Sequence, residues 1–240
     1  MDGSLRVHRR PWDDSRMTVN LEAQARKVSV VGGMLERRGA AGRVLVVGCG
    51  DGREAGQISR QLNLDVVGID LGNDFQFAYQ ESAPATLLTM DGQALEFEDR
   101  SFDVIYSFHA LEHMSDPHKA LSEMRRVLRS GGTYLVGTPN KERALGYIGS
   151  ASPVADRIRW NVADWRARLA GRWSNAKGAH AGFTSRELLS MCADAFGDAT
   201  TVSDEYYMRL YASRARLIKA LIRTGMSRWA FPAVYVAGRG

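Results

Sequence analysis

Apolar and polar positions alternate along this chain in two distinct rhythms. Five short runs are apolar almost throughout: RVLVV at 43–47, DVVGID at 65–70, ATLLTMD at 85–91, SFDVIYSFH at 101–109 and TYLVGTPN at 133–140. Such runs read as strands covered on both faces. Between them lie segments with helical spacing. REAGQISRQL at 53–62 sets Ala55, Ile58 and Leu62 on one face, and DPHKALSEMRRVLRSGG at 116–132 starts with Pro117 in its first turn and stops at Gly131 and Gly132. The order strand, Gly-rich turn, helix, strand is a βαβ unit. Its repetition predicts an α/β fold with a doubly wound, mostly parallel sheet.

The flanks of this 43–140 core read differently. Residues 1–40 form an N-terminal cap: a polar arm to about residue 20, then a helix over 21–38 that Gly32 and Gly33 break into two pieces. Residues 141–182 interrupt the alternation as a helical lid insertion. There Val154, Ile158, Val162, Trp165 and Leu169 recur at spacings of three and four, which predicts an amphipathic helix with Trp165 packed in the core. Trp160 and Trp173 fit that face less well and are lid candidates. Residues 183–240 bring the last helices and strands. Thr184 and Glu187 make a capping box that opens the helix SRELLSMCADAF. DATTVSDEYY at 198–207 and FPAVYVAGR at 231–239 complete a seven-stranded sheet. A basic helix around 210–223 is expected to bury Leu217, Ile218, Leu221 and Ile222 and to leave Arg214, Arg216, Lys219 and Arg223 in water; weak peripheral contact with an anionic membrane is the alternative.

Composition narrows the class. The chain has 240 residues, 45% apolar and 25% charged, which suits one sizeable globular domain. No apolar run approaches the ~20 residues that span a bilayer, and MDGSLRVHRRPWDD has no apolar signal core. Cys49 and Cys192 are the only cysteines and stand at no metal-ligand spacing, so a reducing, cytoplasmic setting is expected. The net charge of +5 comes from scattered arginines and reads as a solvated surface.

Three features carry the chemistry. Gly48-Cys49-Gly50-Asp51-Gly52 follows the first strand, where glycines allow a tight turn and close approach of a ligand to the backbone. Arg53 stands where a dinucleotide fingerprint would place its third glycine, which disfavours an NAD-dependent oxidoreductase. Asp70 ends the second strand about 20 residues on, as a ribose-binding carboxylate would. Asp91 then follows the third strand, with an acidic loop and a Phe-Asp pair opening the fourth.

With these motifs in order over residues 43–140, the sequence resembles the class I methyltransferases that use S-adenosylmethionine (SAM), most closely the group of ubiquinone/menaquinone-biosynthesis and small-molecule enzymes. The resemblance implies a Rossmann-like fold and SAM as cofactor. It implies that Gly48, Cys49, Gly50 and Gly52 pass under the methionine part, Asp70 holds the ribose, and Asp91 and Gly92 meet the adenine, with Leu71 against its ring. Ser107 and Phe108 would offer carbonyls to the methionine ammonium. One position departs from the pattern: Val46 stands where the family carries an acidic residue.

Methyl transfer from a sulfonium needs alignment above all and a base only if the acceptor must lose a proton. His109 and His180 are the catalytic candidates, His109 just after the fourth strand and His180 in an H-x-x-F-T run before the capped helix. His109, Glu112 and His113 could share a helix face and hold a metal, but His and Glu also pair without one, and no metal is expected. The expected reaction is methylation of oxygen or nitrogen on a small molecule such as a natural product, a sugar or a quinone- or lipid-like acceptor. No motif or basic patch points to nucleic acid. A non-catalytic partner protein of the same fold is the rival from another class. Nothing in the sequence fixes an oligomeric state.

Overall fold

The computed structural model describes residues 14–72, 75, 85–146, 153–177 and 180–240, with side chains from residue 25 onward. Seven strands form one sheet: β1 (Arg43–Val47), β2 (Asp65–Asp70), β3 (Ala85–Thr89), β4 (Phe102–Phe108), β5 (Leu128–Pro139), β6 (Thr200–Thr201) and β7 (Ala233–Arg239). Their order is β3-β2-β1-β4-β5-β7-β6. The first five pair in parallel, and β7 runs antiparallel to both β5 and β6. The sheet is therefore doubly wound and mostly parallel, as its strand patterns predicted.

The reason lies in which residues each face buries. Val44, Val46, Val104, Tyr106, Leu135 and Tyr235 point to one face. Helices α1 (Asp14–Arg37), α2 (Arg53–Leu62), α6 (Ser203–Leu210) and α7 (Ala215–Arg223) contribute apolar residues to that same layer. Leu45, Val47, Ile69, Ile105, Val136 and Val234 point to the other face, among residues of α3 (Pro117–Val127) and α5 (Ser185–Phe196). Alternate residues of every central strand are thus buried on opposite sides, which is why these runs are apolar throughout. Each such side chain contributes about 1.5–3 kcal/mol of burial.

Local signals hold at several boundaries. Asp116 caps α3 by accepting from the Lys119 N–H at 3.0 Å, with Pro117 in the first turn. Thr184 and Glu187 form the reciprocal capping box of α5, with bonds of 3.0 and 2.7 Å.

Several expectations fail. The helix α1 is continuous through Gly32 and Gly33; an added Cβ on Gly32 would strike the Gln61 side chain, so the glycine permits close crossing with α2 rather than a break. Helix α3 ends at Val127, before the glycines, because Leu128 already pairs with Phe102 in the sheet. Of the strand expected at 198–207 only Thr200–Thr201 forms; Ser203–Leu210 is helical, with Asp204 and Glu205 at its positive end and Tyr206 and Tyr207 buried. Helix α4 (Val154–Leu169) is the helix expected in the insertion, yet it turns its apolar stripe outward, and Trp165 is nearly half exposed rather than packed in the core.

In α7 only Ile218 is fully buried, while Leu217 is largely exposed. A short helix, α8 (Ser227–Ala230), leads into β7. Of the polar arm expected to about residue 20, residues 14–20 are instead the start of α1, and residues 1–13 lie outside the described residues.

Candidate active site

Strand order reverses between β1 and β4, and in such sheets ligands sit in the crevice beyond the carboxyl ends of the strands at that point. Here the crevice receives the Gly48–Gly52 loop from β1 and Ser107, Phe108 and His109 from β4.

The loop is backbone machinery. Gly48, Gly50 and Gly52 all have left-handed φ (76°, 55° and 84°). A side chain on Gly48 would collide with Ala110 and one on Gly52 with Leu87, whereas the space over Gly50 is open. The Gly48 and Cys49 N–H groups donate to the Ile69 carbonyl, each at 2.9 Å. Asp70 completes the anchor: one carboxylate oxygen accepts from Gly50 N–H at 2.9 Å and the other from Gly72 N–H at 3.1 Å. Each oxygen keeps lone-pair capacity for a further donor. The Cys49 side chain turns into the core, and burial beside Asp70 pushes its thiol up to about 12, so only its backbone faces the crevice. Asp91 binds the backbone and side chain of Gln93, and Gly92 is buried against Val47 and Met114. Leu71 is 72% exposed at the rim.

These residues fit an adenosyl group. An open cradle over a glycine, an exposed leucine beside a diol-competent carboxylate and a buried Ser107 hydroxyl with no partner of its own are features a ligand would complete.

A carboxylate that sequence reading missed stands at this end. Glu54, in the first turn of α2, accepts from the Tyr106 hydroxyl at 2.7 Å. Tyr106 lies beside Val46 across the β1–β4 pair. Burial raises the Glu54 carboxyl, while the Tyr106 bond and the nearby His109 and Lys27 lower it. The other acid of the loop, Asp51, is engaged by Arg53 at 3.2 Å. Nothing in the spacing of Glu54 announces it, because its partner Tyr106 comes from a strand 52 residues away.

The second half of the crevice is a cavity of about 380 Å³. Phe108, Tyr206, Tyr207, Tyr211 and Tyr235 give it aromatic walls, and Lys27, Arg143, His109, Glu112, His113 and His180 supply its polar groups. The rings support one another: Phe108 stacks on Tyr235 at 5.2 Å, and Tyr206 leans on Tyr235 at 4.2 Å. Burial raises the Tyr206 phenol to about 12 and holds those of Tyr207 and Tyr235 well above the ordinary range, so all three are neutral walls.

His109 and His180, separated by 71 positions, both line this cavity and both have left-handed φ (55° and 43°). Such a conformation costs a bulky residue about 1–3 kcal/mol; at His109 the N–H bond to the Gly137 carbonyl helps hold it. The His109 Nδ1 stands 3.2 Å from the Glu112 carboxylate and the His113 Nε2 3.8 Å from the same oxygen. The His113 ring meets His180 edge-on at 4.7 Å. Glu112 is buried, and neither of its oxygens accepts an aligned hydrogen bond. Among the described residues no group of His, Cys, Asp or Glu has metal-binding geometry. The lid candidates stay outside: Trp173 donates to the Lys141 carbonyl at 2.9 Å and stacks under Arg168, and neither it nor Trp160 lines the cavity.

Fold and site together define a Rossmann-like methyltransferase architecture. The family model described as a methyltransferase domain matches residues 45–136. The chain is 31% identical over 138 residues to the 27-O-demethylrifamycin SV methyltransferase of Amycolatopsis mediterranei, a match covering 55% of this chain and 50% of that enzyme. It is 33% identical over 152 residues to an O-methyltransferase of Aspergillus nomiae, covering 57% of this chain and 67% of the relative. The chain thus spans about half the length of the first relative and two thirds of the second.

Among solved structures, phosphoethanolamine N-methyltransferase 2 of Haemonchus contortus with bound S-adenosylhomocysteine superposes with a TM-score of 0.54 at 18% identity, over 86% of this chain and 51% of that one. The [4+2]-cyclase SpnF superposes with a TM-score of 0.53 at 19% identity, over 90% and 80%. These likenesses speak for the fold alone. The chain belongs to the class I SAM-dependent methyltransferases.

Proposed function

We propose that this protein transfers a methyl group from SAM to a hydroxyl oxygen of a small aromatic acceptor. The observation that carries this reading is the His109 imidazole at the cavity wall, one residue beyond the cofactor end of β4, beside the buried Glu112 carboxylate that it shares with His113. The two relatives named above, one a 27-O-demethylrifamycin enzyme and one an O-methyltransferase, support oxygen as the acceptor atom.

Bound SAM supplies a sulfonium methyl open to in-line displacement. The chain's residues do the rest. Asp70 would accept from the ribose hydroxyls while fixing the loop through Gly50. Asp91 and Gly92 would meet the adenine, with Leu71 on its ring. The Gly48–Gly52 backbone would carry the methionine part, and the Ser107 and Phe108 carbonyls its ammonium. Glu54 would stand in for the acid that Val46 replaces, since Asp51 is already paired; burial favours its neutral form, and the ammonium of bound SAM would offset that burial.

On the acceptor side, the aromatic walls align a flat ring and exclude water, which is where most of the acceleration of such a displacement arises. His109 takes the hydroxyl proton at Nε2 as oxygen attacks. The imidazolium so formed would face the buried Glu112 carboxylate across 3.2 Å, with the His109 ring itself half exposed. His180 contacts the acceptor from the insertion side, against His113.

Production of S-adenosylhomocysteine from SAM, measured over matched hydroxylated and amino aromatics, tests this reading. Hydroxylated rings should be turned over, and His109→Ala should lower turnover ~100-fold or more. Preference for the amines, or unchanged turnover in the variant, would refute it.

A further inference from the structure

Helix α4 is built inside out. Val154, Ile158, Val162, Trp165 and Leu169 fall within one narrow stripe of its surface and are each 43–85% exposed. The polar side faces the protein instead. Asp164 pairs with the buried Arg143 at 3.2 Å, Arg168 donates to the Arg143 carbonyl at 2.7 Å, and Asn161 exchanges two bonds with Gly146. These bonds fix the rotation of the helix, so the outward stripe is a property of the fold rather than of a loosely held element.

The stripe continues onto a neighbouring segment. The Trp165 indole donates to the Ala144 carbonyl at 3.0 Å, and the Ala144 N–H donates to the Trp229 carbonyl at 2.8 Å. Leu145, Met226 and Trp229 are each about half exposed there. Apolar residues on a folded surface are ordinary one by one; a continuous stripe with two tryptophans calls for a partner.

Charge says which partner. Residues 153–177 and 212–230 hold eleven Lys and Arg against two carboxylates, Asp156 and Asp164. Asp164 is bound inward by Arg143, and Asp156 lies 3.8 Å from Arg159. Residues 153–177 alone hold six of these Lys and Arg against both carboxylates, so the segment that carries the stripe is itself basic, and Arg228 beside Trp229 is paired with Glu142. A second copy would set the same arginines face to face and is disfavoured on that ground. An apolar strip with tryptophan, bordered by arginines, matches the requirements of a helix lying in a lipid headgroup layer.

We propose that the outer face of α4, with the Leu145–Trp229 region, docks on an anionic lipid surface. This goes beyond methyl transfer and does not depend on which acceptor the enzyme uses. The acceptor cavity adjoins the docked face through Arg143, which lines the cavity and binds α4.

Flotation of the full chain with vesicles tests it. The protein should float with vesicles of phosphatidylcholine containing phosphatidylglycerol at least ~10-fold more than with phosphatidylcholine alone, less so at high salt, with a blue shift of tryptophan emission. The double variant Ile158→Asp/Leu169→Asp should lose flotation and keep its affinity for S-adenosylhomocysteine, which shows that it folds. Failure of the wild-type chain to float, or equal flotation of the variant, would overturn the proposal. So would a concentration-dependent dimer in sedimentation that the double variant abolishes, because a second copy would then be the occupant.

Discussion

The two halves of the crevice are built by opposite means. The cofactor half is backbone: three left-handed glycines, N–H groups pointing at the Ile69 carbonyl and the Asp70 carboxylate, and the loop between β1 and α2. The acceptor half is side chain: histidines 71 positions apart, tyrosines from α6 and β7, and an arginine from the insertion. Backbone geometry is specified locally, so the first half is compact in sequence and intolerant of substitution. The second half is assembled from distant pieces. Its exposed histidines, His109, His113 and His180, can be exchanged with least cost to the fold, whereas Tyr206, Tyr207 and Tyr235 belong to the core.

This contrast can be broken at either end. The largest effect should come from Gly50→Arg or Asp70→Ala. The arginine would fill the open cradle, and the alanine would release both loop anchors. Affinity for S-adenosylhomocysteine should fall ~100-fold or more in calorimetry, given roughly 1.5–3 kcal/mol for a hydrogen bond to a charged group. Unchanged affinity in both variants would remove the cofactor assignment.

Next in size, Glu112→Ala should lower turnover ~10-fold or more with cofactor affinity unaltered, because the imidazolium loses its counter-charge. An equal loss of cofactor affinity would blur the line between the halves.

A subtler probe is Glu54→Gln, which keeps an acceptor for Tyr106 but removes the charge. Binding of S-adenosylhomocysteine should weaken ~10-fold, while 5′-methylthioadenosine, which lacks the ammonium, should bind as before. Equal changes for both ligands would show that Glu54 supports the fold and not the cofactor.

The smallest effect uses the two thiols, Cys49 in the glycine loop and Cys192 on α5, away from the crevice. Burial raises both Cys49 and Cys192 to about 12, so both should stay silent toward thiol reagents near neutral pH until the chain unfolds. S-adenosylhomocysteine should slow modification of both thiols, because it stabilises the folded chain from which neither reacts. Because the folded thiols hold their protons more tightly than an ordinary thiol at 9.0, their contribution to stability is complete below pH 9. It is lost as pH rises from there toward 12, so the melting temperature should decline over that range.

The same division explains what could be read in advance. The strands, the α3 cap at Asp116, the Thr184–Glu187 box and the glycine loop rest on contacts among residues close in sequence or on strict burial patterns. Glu54 was invisible because its meaning comes from Tyr106 on another strand. The outward turn of α4 was invisible for a related reason. Its apolar period is correct for a buried helix, and only the Asp164–Arg143 and Asn161–Gly146 bonds show which side faces the protein. The strand expected at 198–207 gave way to helix α6 because the tyrosines there bury against β7.

Taken alone, the order of residues determined a doubly wound sheet and a glycine loop with its carboxylate, since both follow from short-range backbone preferences and the period of apolar positions; the class of chemistry came from the resemblance of those motifs to a known family. Tertiary structure alone decided which histidines share a cavity, that Glu54 meets Tyr106, and which side of α4 faces outward. Those outcomes depend on contacts between segments tens of residues apart, and no local pattern encodes the rotation of one packed element against another.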